Sequence, residues 1–285
     1  ILCESSPSFR ILAKQAKLLG KKVLVLSDGP DELLNGYDVD LRVHNITQKM
    51  QKFSHEKRVC IKDLALTRES WLGRSQDLLN WAYLNSNPVA TRPNHGGTAK
   101  NIMSELISES YKDAAFKKYG VSRDVEFMQY DSLDTLQRLS LGYLQSSLPD
   151  YVNTRSDRGS MKEGVEVRLP FLSTSIVELS MSTPGKFRID SKGRGKNILR
   201  TLVDKNIGGV ISKRNKYGFA APFWMIPGNR DKIGMDDIIN SSSIFDRDVF
   251  HKTVRQEVFK QGNERLVWMA YSLAMTERKL KEIRV

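Results

Sequence analysis

The chain has 285 residues, of which 40% are hydrophobic and 9 are proline, a composition typical of one large or two smaller folded domains and not of a disordered protein. No apolar run approaches the ~18 residues that a membrane-spanning helix needs, and the first ten residues, ILCESSPSFR, lack the pattern of a signal peptide. The formal net charge of +12 favours a partner rich in phosphate, which is either nucleic acid or a nucleotide.

The cysteines and the first residue bear on the origin of the chain. Cys3 and Cys60 lie far apart and have no spacing typical of a metal site, so we expect a reducing, cytoplasmic environment. The chain begins with isoleucine instead of methionine, which suggests a processed product or a fragment.

The first predicted elements are a helix and a strand. Residues 11–19 have helical periodicity, and residues 23–26 form a short apolar run without alternation. Such a run predicts a strand that is covered on both faces in a parallel sheet. The residues expected to form the packing face of the helix are Ile11, Leu12, Gln15, Ala16 and Leu19.

The turn after this strand carries two carboxylates. Gly29 and Pro30 form the turn, and Asp31 is expected to cap the helix that follows. Ligands of α/β sheets bind at the carboxyl ends of the strands, so residues 27–31 are expected to line a site. Carboxylates repel phosphate oxygens, and Asp28 and Asp31 therefore suit a phosphate site mainly if Mg²⁺ lies between. The alternative is an ordinary capped turn with two solvated acids.

The middle of the chain is less informative. Residues 41–130 are polar and predict a series of short helices. The stretch NPVATRPNHGG is typical of a loop, in which His95 is expected to be solvated and not a ligand. Trp71 and Trp81 are expected to lie in the core.

Acidic and basic residues then alternate in the stretch SDRGSMKEGVEVR. For Asp157 and Arg158 we expect an internal ion pair that clamps a buried loop. Glu166 stands between two valines and is followed by Arg168. Its carboxylate is expected to be partly desolvated, and such a group can act as a general base.

A basic segment, residues 186–216, contains ten lysines and arginines against two aspartates, a net +8 of the total +12. Within it, Lys196 follows Gly193 and Gly195 at the start of a predicted helix. A cation there works against the helix dipole, but an anion bound at this end would receive the backbone N–H groups and the ammonium together. The alternative is a solvated lysine on an exposed face.

The rest of the basic segment extends this pattern. Arg200 shares the polar face of the helix, and Lys213, Arg214 and Lys216 would join the same pocket if their loop folds back. A compact cluster of this kind suits the polyphosphate of a nucleotide. Nucleic-acid binding is the alternative, but the segment has few aromatic residues for base stacking and no known binding motif. The residues expected to face the core are Ile198, Leu199, Leu202 and Val203.

Four stretches resemble, in sequence and in order, the carboxyl-terminal part of the synthetase domain of glutamine-hydrolysing asparagine synthetases, which the related β-lactam synthetases share. They are KKVLVLSDGPDELLNGY, LPDYVNTRSDRGSMKEGVEVRLPFL, KGRGKNILR and SKRNKYGFAAPFW. The resemblance covers residues 7–37 and 148–224 well and the rest weakly.

The resemblance implies an α/β, Rossmann-like ATP-pyrophosphatase fold, in which ATP and Mg²⁺ activate a carboxylate as its acyl-adenylate before an amine attacks. It also implies that Asp31 is associated with Mg²⁺, that Ser27 contacts the adenosine side, and that Lys196 steadies the phosphates. With the residue patterns, the expected catalytic residues are Lys196 and Glu166. The expected nucleotide contacts are Ser27, Asp28, Gly29, Arg200, Arg214 and Lys216.

The chain also departs from the family pattern. The family loop reads Ser-Gly-Asp/Glu-Gly-x-Asp-Glu, but here Asp28 follows Ser27 directly, and the shortened loop is expected to turn Asp28 outward. Ser173 replaces the acid of the family's PFLD, and the family's GGY is Asn-Gly-Tyr in residues 35–37. The first phosphate loop, Ser-Gly-Gly-x-Asp-Ser, and the glutaminase domain would lie upstream of Ile1.

These observations predict a carboxylate–amine ligase of the asparagine synthetase type, present as a fragment that is inactive alone. The expected layout is the end of a truncated nucleotide-binding sheet (residues 1–40), a helical insertion (41–130), a helical core with the catalytic motifs (131–230) and a helical tail (231–285). Expected partners are aspartate or another small acid, a glutaminase domain or subunit, and a second copy of the chain. The alternatives are an inactive binding or assembly module and, less favoured, a nucleic-acid-binding protein.

Overall fold

The computed structural model describes residues 6–67, 77–78, 81–82, 108, 110–111, 132–145, 147–214, 231, 234–250, 252–258 and 264–283. These residues form mainly helices and one two-stranded parallel sheet. The strands are β1 (Val23–Val25) and β2 (Glu166–Arg168). The α-helices are α1 (Ser6–Leu18), α2 (Pro30–Leu33), α3 (Asp38–Met50), α4 (His55–Thr67), α5 (Thr135–Gln145), α6 (Thr154–Met161), α7 (Thr174–Ser182), α8 (Gly185–Arg188), α9 (Asn197–Asn206), α10 (Gly209–Ser212), α11 (Met235–Ser241), α12 (Val254–Val258) and α13 (Glu264–Ile283). A π-helix (Leu148–Asn153) and two 3₁₀ helices (Pro170–Leu172 and Ser243–Asp246) complete the list.

The sheet is covered on one face. Val23 lies opposite Glu166, and Leu24 packs with the alanines of α1 and with Val165. Val23 and Val25 are 42% and 68% exposed, so the prediction of a strand covered on both faces is wrong. Successive side chains of a strand point to opposite faces, and α1 covers only the face of Leu24.

The first helix was predicted correctly, but of its predicted packing face only Ala16 is buried. Its buried residues are Ser6, Phe9, Ala13 and Ala16, whereas Ile11, Leu12 and Leu19 are exposed. The reason is a close contact with α6, because a Cβ added to Gly159 would lie 2.9 Å from the Cβ of Phe9. Small residues allow this approach and large aliphatic ones do not.

Two further core clusters lie among the described residues. The first joins α3, α4 and α5 and contains Trp81, as predicted, with Val43, Leu136 and Leu139. The second joins α11, α12 and α13 through Met235, Ile239, Val254, Leu266 and Ala270. The predicted positions of Trp71 and His95 lie outside the described residues.

Candidate functional site

The turn at the carboxyl end of β1 begins the candidate site. Gly29 is the N-cap residue of α2, and Pro30 is its first residue. The prediction that Asp31 caps this helix is therefore wrong, because Asp31 is its second residue. Gly29 has φ 111°, and a Cβ there would overlap the side chain of Leu172, so both the backbone and the space require glycine.

Asp31 forms an ion pair with Lys196. The Lys196 Nζ and the Asp31 Oδ1 are 2.7 Å apart, and both side chains are about one quarter exposed. Lys196 is the N-cap residue of α9, immediately before the first turn in which it was predicted, and has a left-handed backbone with φ 61°. The residue expected to hold Mg²⁺ and the residue expected to hold phosphate thus meet at the start of α9.

Backbone contacts bring these two segments together. The Lys196 N–H donates to the Leu34 carbonyl at 2.9 Å. A Cβ on Gly195 would overlap the carbonyl of Asn35, and a Cβ on Gly36 would overlap the Asp31 carboxylate. Both glycines are needed for the close approach of the segment around Asp31 to the start of α9. This approach brings the Lys196 ammonium into contact with the Asp31 carboxylate.

Asp28 faces inward, contrary to the expectation that the shortened loop turns it outward. Its Oδ1 lies 3.5 Å from Nη2 of Arg155, and each side chain is about one sixth exposed. The Arg155 guanidinium also lies over the rings of Phe9 and Tyr151, at 5.5 and 5.7 Å. The Oδ2 of Asp28 is buried and has no hydrogen-bond partner within the described residues.

A buried acid lies directly behind the two aspartates. Glu32 is 3% exposed, and its Oε1 accepts a hydrogen bond from the Tyr37 hydroxyl at 2.5 Å. Burial raises the pKa of Glu32, and the neighbouring Asp31 and Asp28 carboxylates add to this rise. Burial and the charge of Glu32 raise the pKa of Tyr37 as well. Glu32 therefore keeps its proton to a higher pH than an exposed glutamate.

Glu166, the predicted general base, lies in β2 and has an exposed side chain. Its carboxylate is 58% exposed and accepts a hydrogen bond from Nε of Arg168 at 3.1 Å. The expected desolvation is therefore wrong, because its side chain points away from the covered face of the sheet. Asp157 and Arg158 are also exposed, and no ion pair joins them among the described residues.

Arg200 is engaged by backbone carbonyls. It donates to the carbonyls of Gly195 at 3.0 Å, Ser212 at 2.5 Å and Arg214 at 3.2 Å, and so ties the loop after α10 to the start of α9. The side chain of Arg214 is exposed, and Lys216 lies outside the described residues. Leu202 was expected in the core but is 51% exposed.

The donor atoms of this turn fit a magnesium–nucleotide complex. Protein sites for Mg²⁺ with phosphates use one or two carboxylates and leave the other positions to phosphate and water. Asp31, together with the buried and unpartnered oxygen of Asp28, matches that need. A cluster of three or more metal-binding side chains, which would bind a metal alone, is absent from the described residues. None of the described helices is long and apolar enough to cross a membrane.

Comparison with known families gives a match over nearly the whole chain. The family described as Asparagine synthase matches residues 2–278. No curated protein and no solved structure matched. The match includes β1, the turn with Asp28 and Asp31, and the loop that presents Lys196. The chain therefore belongs to the asparagine synthase family.

Proposed function

We propose that the protein is an ATP-dependent amide-forming ligase, which adenylates a carboxylate and then transfers the acyl group to ammonia. The observation that carries this proposal is the 2.7 Å contact between Asp31 and Lys196 at the carboxyl end of β1. An ammonium and a carboxylate at the same point are the two groups that a magnesium–nucleotide complex requires.

The ion pair suggests how the site receives its substrate. When the nucleotide binds, the Lys196 ammonium exchanges its carboxylate partner for phosphate oxygens. Asp31, with Asp28, would hold Mg²⁺, which supplies charge neutralisation for the departing pyrophosphate. We propose that Ser27 and Gly29, which belong to the same turn, contact the nucleotide; the exposed side chain of Ser27 supports this for Ser27.

The substrates follow from the family. We propose aspartate or another small carboxylic acid as the acceptor, and a glutaminase domain or subunit in the same reducing cytoplasm as the source of ammonia. The 285 residues do not include the family's Ser-Gly-Gly-x-Asp-Ser phosphate loop, so this loop would come from outside them.

A second candidate is a non-catalytic binding or assembly module of the same fold. One observation favours it: Asp28 follows Ser27 without the family's glycine, and Arg155 holds its carboxylate. Such a module would still bind nucleotide at Asp31 and Lys196 but would not turn it over.

Calorimetric titration with ATP and Mg²⁺ tests the nucleotide site on the chain as it stands. We expect binding that requires Mg²⁺, and we expect Asp31→Asn to need a higher Mg²⁺ concentration. The matched control is Asp157→Asn, whose carboxylate is exposed and outside the site. Unchanged Mg²⁺ dependence in the Asp31 variant would mean that this carboxylate does not hold the metal.

Aspartate-dependent exchange of pyrophosphate into ATP tests the reaction. The 285 residues alone should show no exchange, because they do not include the phosphate loop that would grip the leaving pyrophosphate. A longer chain that includes the phosphate loop should exchange. Robust exchange by the 285 residues would contradict our assignment of the motifs, and a longer chain that binds ATP without exchange would be the assembly module.

A further inference from the structure

Arg188, the last residue of α8, is completely buried behind the candidate site. Its guanidinium donates to five groups. The acceptors are the carbonyls of Thr183 at 2.8 Å and Leu33 at 2.9 Å, the Asn35 Oδ1 at 3.1 Å, the Ser140 Oγ at 2.9 Å and the Ser180 carbonyl. Burial lowers its pKa to about 10, so the side chain is still a cation near neutral pH. A buried cation with this many partners fixes the groups that surround it.

Two of these partners belong to the segment that carries Asp31. The Leu33 carbonyl also accepts hydrogen bonds from the hydroxyls of Ser140 at 3.2 Å and Ser180 at 2.6 Å. Asn35 has a left-handed backbone, φ 54°, and its amide nitrogen donates to the Leu136 carbonyl at 3.0 Å. Arg188 and its neighbours thus hold the backbone just after α2 in a left-handed conformation.

The same segment also touches the loop that carries the lysine. The Leu34 carbonyl accepts the N–H of Lys196, and the Asn35 carbonyl lies against Gly195. Residues 33–35 therefore contact both Arg188 and the start of α9.

Arg188 is also joined to Lys196 along the chain. Between them, the Asp190 carboxylate accepts the N–H groups of Lys192 and Arg194 and pairs with Nε of Arg194 at 2.7 Å. This tight turn connects the buried arginine directly to the residue that presents the ammonium. A displacement of Arg188 would move both partners of the ion pair.

We infer that Arg188 is a positioning residue, which sets the geometry of the Asp31–Lys196 pair by holding the Leu33 carbonyl and the Asn35 amide. The effect of Arg188 on catalysis rests on the proposed function, but its effect on the geometry of the Asp31–Lys196 pair does not. Lysine cannot replace it, because an ammonium has three donors at one point and no planar fork to reach separate acceptors.

The test compares Arg188→Lys with Ser180→Ala, which removes one donor to the Leu33 carbonyl and leaves two. Each folded variant is treated with a limiting amount of an acylating reagent, and mass spectrometry gives the rate at Lys196 relative to the exposed Lys192 and Lys205. In Arg188→Lys we expect Lys196 to react several-fold faster, because it leaves the carboxylate. In Ser180→Ala we expect almost no change.

An unchanged relative rate at Lys196 in a folded Arg188→Lys protein overturns the inference. If this variant does not fold, Asn35→Gly serves instead, because glycine tolerates φ 54° and removes the amide whose oxygen Arg188 holds, together with the hydrogen bonds of that amide to the Leu136 carbonyl and to Asp40. It should raise the rate at Lys196 as well, and no change overturns the inference again. If the variants change the rate at Lys196 but the wild-type protein neither binds nor uses ATP, the positioning role stands and the proposed function is rejected.

Discussion

Lys196 has a backbone conformation that lysine rarely adopts. A non-glycine residue with φ 61° costs roughly 1 kcal/mol or more unless the surroundings impose it. Here the N–H bond to Leu34 and the ion pair with Asp31 impose it. This backbone conformation points the ammonium toward the Asp31 carboxylate and away from the solvent-facing side of α9. A group that acts on a ligand is expected to have such an orientation.

We expect Lys196→Ala to lower kcat and kcat/KM together, by roughly 10²-fold or more, in a longer chain that catalyses exchange. The charge acts mainly on the transition state, so the affinity for ATP should change little. Lys196→Arg should restore activity only in part. Steady-state kinetics checks this.

The control for this experiment is Lys205→Ala on the exposed face of α9. Arg200 is not suitable, because it holds three carbonyls and its removal would disturb the loop itself. Near-normal turnover in Lys196→Ala would reject the catalytic role of Lys196.

Glu32 predicts a pH dependence of stability. Because its pKa is raised in the folded protein, the native state binds more protons than the unfolded state above its ordinary value of 4.5, and stability falls as the pH rises through that window. Glu32→Gln keeps the acceptor for Tyr37 and removes the charge. We expect thermal unfolding of this variant to show a weaker loss of Tm as the pH rises from 4.5.

Glu163→Gln is the control, because the pKa of Glu163 is shifted in the direction opposite to that of Glu32. The hydrogen bond from Arg10 lowers the pKa of Glu163, so this carboxylate stabilises the protein above its ordinary value and loses that effect in acid. If both variants shifted the pH profile in the same direction, the assignment of Glu32 would be wrong.

Among the elements, the long helix α13 fixes the 3₁₀ helix Ser243–Asp246 through one carboxylate. Glu277 accepts the hydroxyls of Ser242 and Ser243, the N–H of Ile244 at 3.3 Å and the Lys281 ammonium at 3.0 Å. Led by the Ser242 hydroxyl, these hydrogen bonds lower the pKa of Glu277 to about 2. The carboxylate therefore caps a neighbouring element in addition to pairing with Lys281 of its own helix.

We expect Glu277→Gln to lower the Tm at neutral pH. An amide accepts fewer hydrogen bonds than a carboxylate, and it has no negative charge to pair with the Lys281 ammonium. The difference from the wild type should disappear as the pH falls from the ordinary value of 4.5 to about 2. Glu282→Gln, whose partner Lys279 is mostly exposed, is the control and should have little effect. Equal losses in the two variants would contradict the capping role.

The existence of these elements was easier to predict from the sequence than their faces. Periodicity predicted α1 and the apolar run predicted β1, because both signals are local. The face of α1 depends on Gly159, far along the chain, and no local pattern contains that contact. The same limit explains why Leu202 was placed in the core.

The candidate site shows the same division. The residue patterns and the resemblance selected Asp31 and Lys196 one by one, but nothing in either segment predicts that they pair. The sequence pattern singled out Arg158 and not Arg155. The reason is that Asp28, the carboxylate that pairs with Arg155, lies in a distant segment of the chain. Arg188 gave no signal, since a buried arginine and an exposed one look alike in a basic stretch.

For the whole molecule, the face of β1 that α1 leaves uncovered is an exposed apolar surface. It presents Val23 and Val25, which are 42% and 68% exposed. Within the described residues each strand has one neighbour, so each also has an unpaired edge. Such a surface favours association, either with further sheet or with a second copy.

We expect light scattering to show a mass that rises with protein concentration. Val23→Thr with Val25→Thr should reduce this rise, because threonine keeps the strand propensity and adds a polar group. The control is Val210→Thr, at an exposed position on α10, which should not reduce the rise of mass with concentration. A constant monomer over a wide concentration range would contradict the prediction.

The bond between Arg188 and Leu33 also has a consequence for how the protein folds. It joins residues that are 155 positions apart, so the chain must close a very long loop before it can form. Helices such as α3 and α13 need only local contacts and can form early. Refolding from denaturant should therefore restore the helical circular dichroism first and the protection of Lys196 from acylation last. A folding intermediate that forms after the helical signal returns but before Lys196 is protected would have most of its helices and would lack the Asp31–Lys196 site.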